Sequence, residues 1–473
     1  MPAAISQRDR LAMLLVLALA VAFGALVAVA PLAALALVGL CLAVALALAA
    51  PVASLTLILF LTMIVPGRVQ NTYSIGGGLG EPGLYVADVL LVVGLARAVP
   101  ELMRMGLERR RLFAAVSVAL FLVIALLQML HGFGAGWDRH AAGAECRVLL
   151  YFGTFLLALP ILADDRARGR LLKALVGLGL LLGLWGLAQW VFGIDFAGDS
   201  GLRPGVRGTS GGRGQIQGGL FVFPVAIVIA VAFLMSGQVR SARGRALLVA
   251  VVALNGISLL LTYERSFWVA AAVGTAFVVV KVDRPYRARA LAVAVPLLAL
   301  VVLSLSTLAP RVLTTARERL FAARKYSNDS AFHYRVVESR HVGDEIRRHP
   351  VIGSGLGAAI FWGQPWADVP ARNHTYNHNG YLALAWKLGI PSALLLVALL
   401  VWAVGARGPP RWGPRLAALH NGCRGGLLAL LVVAITFPSF TTLQVMPVIG
   451  LMLAVCATPR ARSEPGQTAA DVP

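Results

Sequence analysis

The chain has 473 residues, 59% of them hydrophobic and only 13% charged, with a mean hydropathy of +0.80. No soluble domain of this length could hide so much apolar surface, so composition excludes a water-soluble protein and predicts a polytopic membrane protein. The net charge of +21 would point to nucleic acid in a soluble chain, but the 42 Lys and Arg lie almost wholly between apolar runs, where orientation and membrane lipids use them. A nucleic-acid partner is therefore rejected. Cys41, Cys146, Cys423 and Cys456 are scattered and form neither a disulfide framework nor a metal-ligand spacing.

In chain order, Arg8 and Arg10 precede about twenty apolar residues with no small-residue cleavage site, which reads as an uncleaved first span. Apolar runs then place candidate spans near 11–30, 32–50, 52–66, 84–99, 112–131, 147–163, 171–193, 215–236, 246–262, 265–280, 290–309, 379–404, 416–436 and 439–457, or 12–14 in all after allowing for poor separation at both ends. Basic clusters at Arg104 to Arg111, Arg166 to Lys173, Arg240 to Arg245, Lys281 to Arg289, Arg407 to Arg415 and Arg460 to Arg462 alternate with less basic connections. The positive-inside rule makes these clusters and both termini cytoplasmic. Connections 67–83, 132–146, 194–214, 263–265 and 310–378 then face outward. The expected organisation is helices over 1–309, an outer loop region over 310–378, C-terminal helices over 379–457 and a disordered tail over 458–473. The long loop carries ten Lys or Arg against six Asp or Glu, so orientation does not account for its charge.

An amphipathic helix is expected from Ser330, with Phe332, Val336, Gly343 and Ile346 on one face and Tyr334, Arg335, Glu338, His341, Glu345 and Arg348 on the other, stopped by His349-Pro350. It either lies on the membrane or also roofs a binding site. The following Val351-Ile352-Gly353-Ser354-Gly355-Leu356-Gly357 either lets backbone amides approach a phosphate or simply closes the loop.

Three arginine sites stand at outward positions: Arg203, Arg207 and Arg213 within the glycine-rich stretch 201–214, Arg265 between two spans with almost no loop, and Arg335 on the amphipathic helix. Guanidinium forks bind phosphate in two-pronged fashion and do not deprotonate, which suits them to a diphosphate at headgroup level. The plainer reading is snorkelling or pairing with lipid phosphate and with neighbours such as Glu264. Finally, Asn373-His374-Thr375-Tyr376-Asn377-His378-Asn379-Gly380 closes the polar loop at the rim of the next span. An imidazole there is a candidate for chemistry at a membrane surface. The alternative is that Asn377 or Asn379 caps the helix while His378 touches headgroups. His374, four residues earlier, together with His333 and His341, are rivals, and Arg147 and Arg340 are lesser candidates.

Arg207-Gly208-Thr209, Thr262 to Ser266, Arg335, the block from His349 to Gly357, and His378-Asn379 with Gly389 ten residues on resemble the bacterial O-antigen ligase and O-antigen polymerase superfamily over roughly residues 60 to 457. The resemblance implies an all-α integral-membrane glycosyltransferase of C-type architecture in the bacterial inner membrane. It takes a glycan from undecaprenyl diphosphate on the periplasmic side, with lipid A–core oligosaccharide as acceptor for ligases, in lipopolysaccharide biosynthesis. It further implies His378 as general base and Arg207 and Arg265, with Arg335, as diphosphate ligands. Asn379, His374, Arg203, Arg213, Arg147 and Arg340 are expected in support.

The chemistry fits independently. A sugar hydroxyl is a poor nucleophile that a base titrating near neutrality activates, and arginines stabilise a leaving diphosphate without proton transfer. No Asp-x-Asp pair occurs on the outward side and Asp164-Asp165 is cytoplasmic by the same reading, so inverting transfer without metal or other cofactor is expected. O-antigen polymerase and protein O-oligosaccharyltransferase activities would use the same blocks. A lipid-linked glycan flippase, the reading from another class, would call for ionisable residues along a path and repeated halves.

Overall fold

The computed structural model describes residues 31–65, 83–192, 219–282, 287–288, 330–364, 369–406 and 414–458. The expected spans 11–30 and 290–309 and the tail after Pro459 lie outside them. Helices α1 (Pro31–Ala49), α2 (Pro51–Met63), α3 (Val86–Met105), α4 (Arg109–Gly134), α5 (Arg139–Leu150), α6 (Thr154–Ala163), α7 (Asp165–Phe192), α8 (Phe223–Met235), α9 (Ala242–Leu261) and α10 (Arg265–Lys281) run up and down through a bundle. Then come α11 (Ser330–Arg348), strands β1 (Ile360–Gln364) and β2 (Val369–His374), and helices α12 (Gly380–Leu388), α13 (Ile390–Gly405), α14 (Pro414–Val433) and α15 (Met446–Ala457).

Among the described residues five helical stretches are long and apolar enough to cross a membrane: α4, Arg139–Ala163, α7, α9 and Leu416–Val433. Five shorter apolar helices accompany them. At 1.5 Å per residue, the 26 residues of α4 cover about 39 Å, more than a hydrocarbon core. Helix α15 is the axis of the bundle, with all of its 12 residues buried.

Tight packing comes from small residues, as expected where lipid supplies no hydrophobic drive between helices. Gly179 and Gly183 of α7 face α9, where the Asn255 amide donates to the Gly179 carbonyl at 2.8 Å and the Ser258 hydroxyl to the Gly183 carbonyl at 3.0 Å. A side chain at Gly274 of α10 would meet the Gly425 carbonyl of α14 at 2.7 Å, and one at Gly425 would meet the Gly274 carbonyl at 2.8 Å.

Several elements differ from the sequence reading. The stretch 132–146, expected as a loop, is largely helical, and the span expected at 147–163 is entered by α5 and interrupted by a 3₁₀ turn at Tyr151–Gly153. The span expected over 379–404 is split at Gly389, whose φ of 81° ends α12 and starts α13. The outer region also contains an antiparallel hairpin, β1 on β2, pairing Ile360 with His374 and Trp362 with Arg372. Helix α11 ends where His349-Pro350 predicted. Its faces differ from the reading, however: Glu338, assigned to the polar face, is 1% exposed.

Candidate active site

The site is built where α11, the hairpin and the start of α12 close over one end of the bundle. The turn between α11 and the hairpin is held by its own amides: Gly353 donates to the His349 carbonyl, Ser354 to Trp386, Gly355 to Lys387 and Leu356 to Gln128, while Gly357 donates to the Glu145 carboxylate at 2.8 Å. Five consecutive amides are thus committed within the protein, so the turn does not cradle a phosphate; it clasps the bundle. The Trp137 indole adds a bond to the Ser354 carbonyl at 2.8 Å and the Gln128 amide one to Ile352 at 2.6 Å.

The clasp delivers the chain to the hairpin, which packs on α11 through aromatic rings. Trp362 stacks on His374 with centroids 4.3 Å apart and on His341 at 5.6 Å, and Tyr334 lies 5.0 Å from it. His374 is buried in this stack, as a structural histidine would be. The side chain of His333 lies outside the described residues.

After the hairpin, the Asn377 side chain accepts from the Asn379 amide at 2.7 Å, and Asn379 caps α12 by accepting from Tyr381 and Leu382 at 3.0 and 3.1 Å. This Asx turn and N-cap fix the backbone on both sides of His378. Asn379 therefore does the capping that the sequence offered as an alternative to chemistry, with Asn377 closing the turn before it, and the side-chain bonds of both go to backbone amides.

The His378 ring instead meets α11. Its Nδ1 lies 2.9 and 3.1 Å from the two carboxylate oxygens of Glu338, and its backbone N–H donates to Glu338 Oε2 at 3.0 Å. The His378 side chain remains 24% exposed while that of Glu338 is 1% exposed. Tyr334 and Tyr376 stand edge-on to the ring at 5.7 and 5.3 Å. Nε2, the nitrogen across the ring, is directed away from Glu338.

The described arginines separate into groups. The Arg335 guanidinium lies over Phe437, 5.4 Å from its centroid, one helical turn before Glu338. Phe437 packs on Phe267 at 4.8 Å and Phe221 at 6.1 Å, and Phe267 is two residues into α10 from Arg265. The aromatic trio thus carries Arg265 and Arg335 to the same end of the bundle as His378. Arg265 opens α10 two residues after Tyr263, with Glu264 between them, and the Tyr263 φ of 55° makes the sharp reversal from α9; burial pushes the Tyr263 phenol up from its ordinary value.

Arg147 has another partner. Its Nε is 3.3 Å from Asp88, its guanidinium donates to the Gly83 carbonyl at 2.6 Å and lies 4.1 Å over Tyr85, and Tyr151 donates to the same Asp88 at 2.7 Å. Its charge is balanced inside the bundle. Arg340 is exposed and, two residues beyond Glu338, points to another side of α11. Arg203, Arg207 and Arg213 lie outside the described residues. Among the described residues no three His, Cys, Asp or Glu side chains gather as metal ligands.

Sequence reasoning missed Glu338 as a functional residue. The available signal was the spacing Tyr334, Glu338, His341, which puts a polar and aromatic stripe on one face of α11, the face that meets the hairpin and His378.

Apolar helices of spanning length and a polar site at one end define an all-α multi-pass membrane protein. Residues 248–397 match the family model described as O-antigen ligase, which bears out over that stretch the resemblance to the O-antigen ligase and polymerase superfamily. The match includes Arg265, Arg335, Glu338 and His378. A comparison with curated proteins finds no match.

Proposed function

We propose that the protein is a glycosyltransferase of the O-antigen ligase type, transferring a glycan from undecaprenyl diphosphate to a sugar hydroxyl of lipid A–core at the periplasmic face of the bacterial inner membrane. The observation that carries this reading is a partly buried imidazole that keeps some exposure, anchored through Nδ1, at the same bundle end as Arg265 and Arg335. In the proposed step the acceptor hydroxyl oxygen bonds to the anomeric carbon as the bond from that carbon to the diphosphate oxygen breaks. The hydroxyl proton passes to His378 Nε2, and the electron pair leaves with the diphosphate, whose charge Arg265, Arg335 and Arg207 would meet. One displacement inverts the anomeric centre.

The arginines would supply fixed positive charge where other diphosphate-sugar enzymes use a divalent ion. The ligase reading follows the description of the matched family model; a polymerase of the same superfamily would use the same residues and accept a second lipid-linked glycan instead of lipid A–core.

The test is a purified reaction with donor lipid and lipid A–core acceptor in the presence of EDTA. Product is expected. His378→Ala should lower turnover by at least about 10²-fold, the scale of general-base catalysis. Arg265→Ala and Arg335→Ala should each lower it by about 10²–10³-fold, the scale of a lost charge-stabilising donor. Activity largely retained in His378→Ala overturns the base assignment; loss of product in EDTA overturns the role given to arginine; and elongation of lipid-linked glycan in place of transfer to lipid A–core assigns the polymerase activity.

A further inference from the structure

We infer that Glu338 is the positioning residue of this site: a buried carboxylate on α11 that sets the tautomer and rotation of His378 and balances the charge the imidazole gains when it takes a proton. The inference rests on the reading of His378 as base and adds to it a residue that no sequence block singled out. An ionised carboxylate can only accept, so a proton must sit on Nδ1 to satisfy the 2.9 Å contact, which leaves the lone pair of a neutral ring on Nε2, the nitrogen directed away from Glu338. The bond from the His378 backbone N–H to the same oxygen, at 3.0 Å, prevents the ring and its main chain from moving independently of the carboxylate.

Burial makes the arrangement specific. A carboxylate at 1% exposure is costly to hold away from water unless it is bonded, and among the described residues both hydrogen bonds that Glu338 receives come from His378. A tie between α11 and α12 needs no charge, and the same ridge of α11 carries a buried Val342 one turn later that packs with Trp386 of α12. The tie is thus already supplied by apolar contact, and the acid has a use that a valine lacks. As the hydroxyl proton arrives at Nε2, the ring becomes a cation in a largely enclosed setting, with Tyr334 and Tyr376 edge-on to it. A carboxylate at 2.9 Å stabilises that cation in the transition state, where it lowers the barrier.

The test compares Glu338→Gln and Glu338→Asp with the wild-type enzyme and with His378→Ala. Glu338→Gln keeps an acceptor for the backbone N–H but can offer Nδ1 a donor, favouring the tautomer whose Nε2 carries the proton. Its kcat should fall by roughly 10²–10⁴-fold, with KM for donor and acceptor unchanged and a thermal midpoint near wild type. Glu338→Asp should recover part of the rate. In a His378→Ala background, Glu338→Gln should lower the residual rate no further, because the acid acts only through the ring. Independently of turnover, ring ¹⁵N shifts in histidine-labelled protein, assigned by difference from His378→Ala, should show the Nδ1–H tautomer in the wild type and the reverse in Glu338→Gln. Wild-type kcat in Glu338→Gln, an unaltered tautomer, or additive losses in the double variant overturns the positioning role and leaves His378 as base. Retained activity in His378→Ala overturns both.

Discussion

Lys387 shows how much of this end of the molecule depends on single buried groups. Its ammonium donates to Glu145 at 2.8 Å and to the Ala358 carbonyl at 2.5 Å, and Glu145 in turn accepts from the Gly357 amide. One ion pair therefore joins α5, the glycine clasp and α12, the helix that His378 introduces. Removing one partner leaves the other charge without compensation, which costs about 3–5 kcal/mol, whereas removing both can be nearly neutral. Lys387→Met is expected to lower the thermal midpoint in detergent markedly, and Glu145→Gln with Lys387→Met together to recover most of it; equal losses in the two variants would show that charge pairing is not what matters here. At this scale the sequence was informative about His378, because an imidazole at the rim of a span is conspicuous. It was silent about Glu338, because an acid on an amphipathic helix reads as solvated until the hairpin that covers it is known. The hairpin was itself hidden: Ile360 to Gln364 is a short apolar and aromatic run, and nothing local shows that β2 returns to pair with it.

At the level of elements, the two glycine positions that matter are those that end one element against another. Gly353 and Gly389 both have φ near 80°, and they touch: a side chain at Gly353 would meet the Gly389 amide nitrogen, and one at Gly389 would meet the Val351 carbonyl. This contact breaks the expected long span into α12 and α13 and directs α12 toward the site. Gly389→Ala combines a left-handed backbone with a backbone collision, so the yield of folded protein is expected to fall sharply, along with transfer activity. Gly256, inside α9 with open space around it, is the control; Gly256→Ala should be neutral or stabilising by up to about 1 kcal/mol. Folded yield and thermal midpoint measure both, and a tolerated Gly389→Ala would show that the split between the helices is not needed. The amphipathic period of α11 and its stop at Pro350 were legible because both are local signals. The clasp was ambiguous because a glycine run looks alike whether its amides face a ligand or its own protein, and only the five bonded partners distinguish the two.

For the molecule as a whole, chain direction sorts the connections into two ends. The site end collects the end of α4, the start of α5, the starts of α8 and α10, the start of α12 and the start of α15, linked by the clasp, the Phe221–Phe267–Phe437 trio and the bond from the Gly380 amide to the Ala434 carbonyl. The opposite end collects the basic residues that close α3, open α4 and α7, and join α8 to α9, including Arg104, Arg109, Arg166 and Arg240. Lysines and arginines flanking spans are retained on the cytoplasmic side, so the charge pattern predicts that the site end faces out. The composition already gave a polytopic membrane chain, and the alternation of basic connections already implied two faces. Where the faces hold a reaction site depends on packing that no single segment carries. Single cysteines at exposed Arg340 and Tyr376, introduced after removal of Cys41, should react with a membrane-impermeant maleimide in spheroplasts. Cysteines at Arg104 and Arg240 should react only once the membrane is opened. If 376 and 240 label from the same side, or 376 only after lysis, His378 faces the wrong compartment for a lipid-borne glycan displayed outside the cytosol.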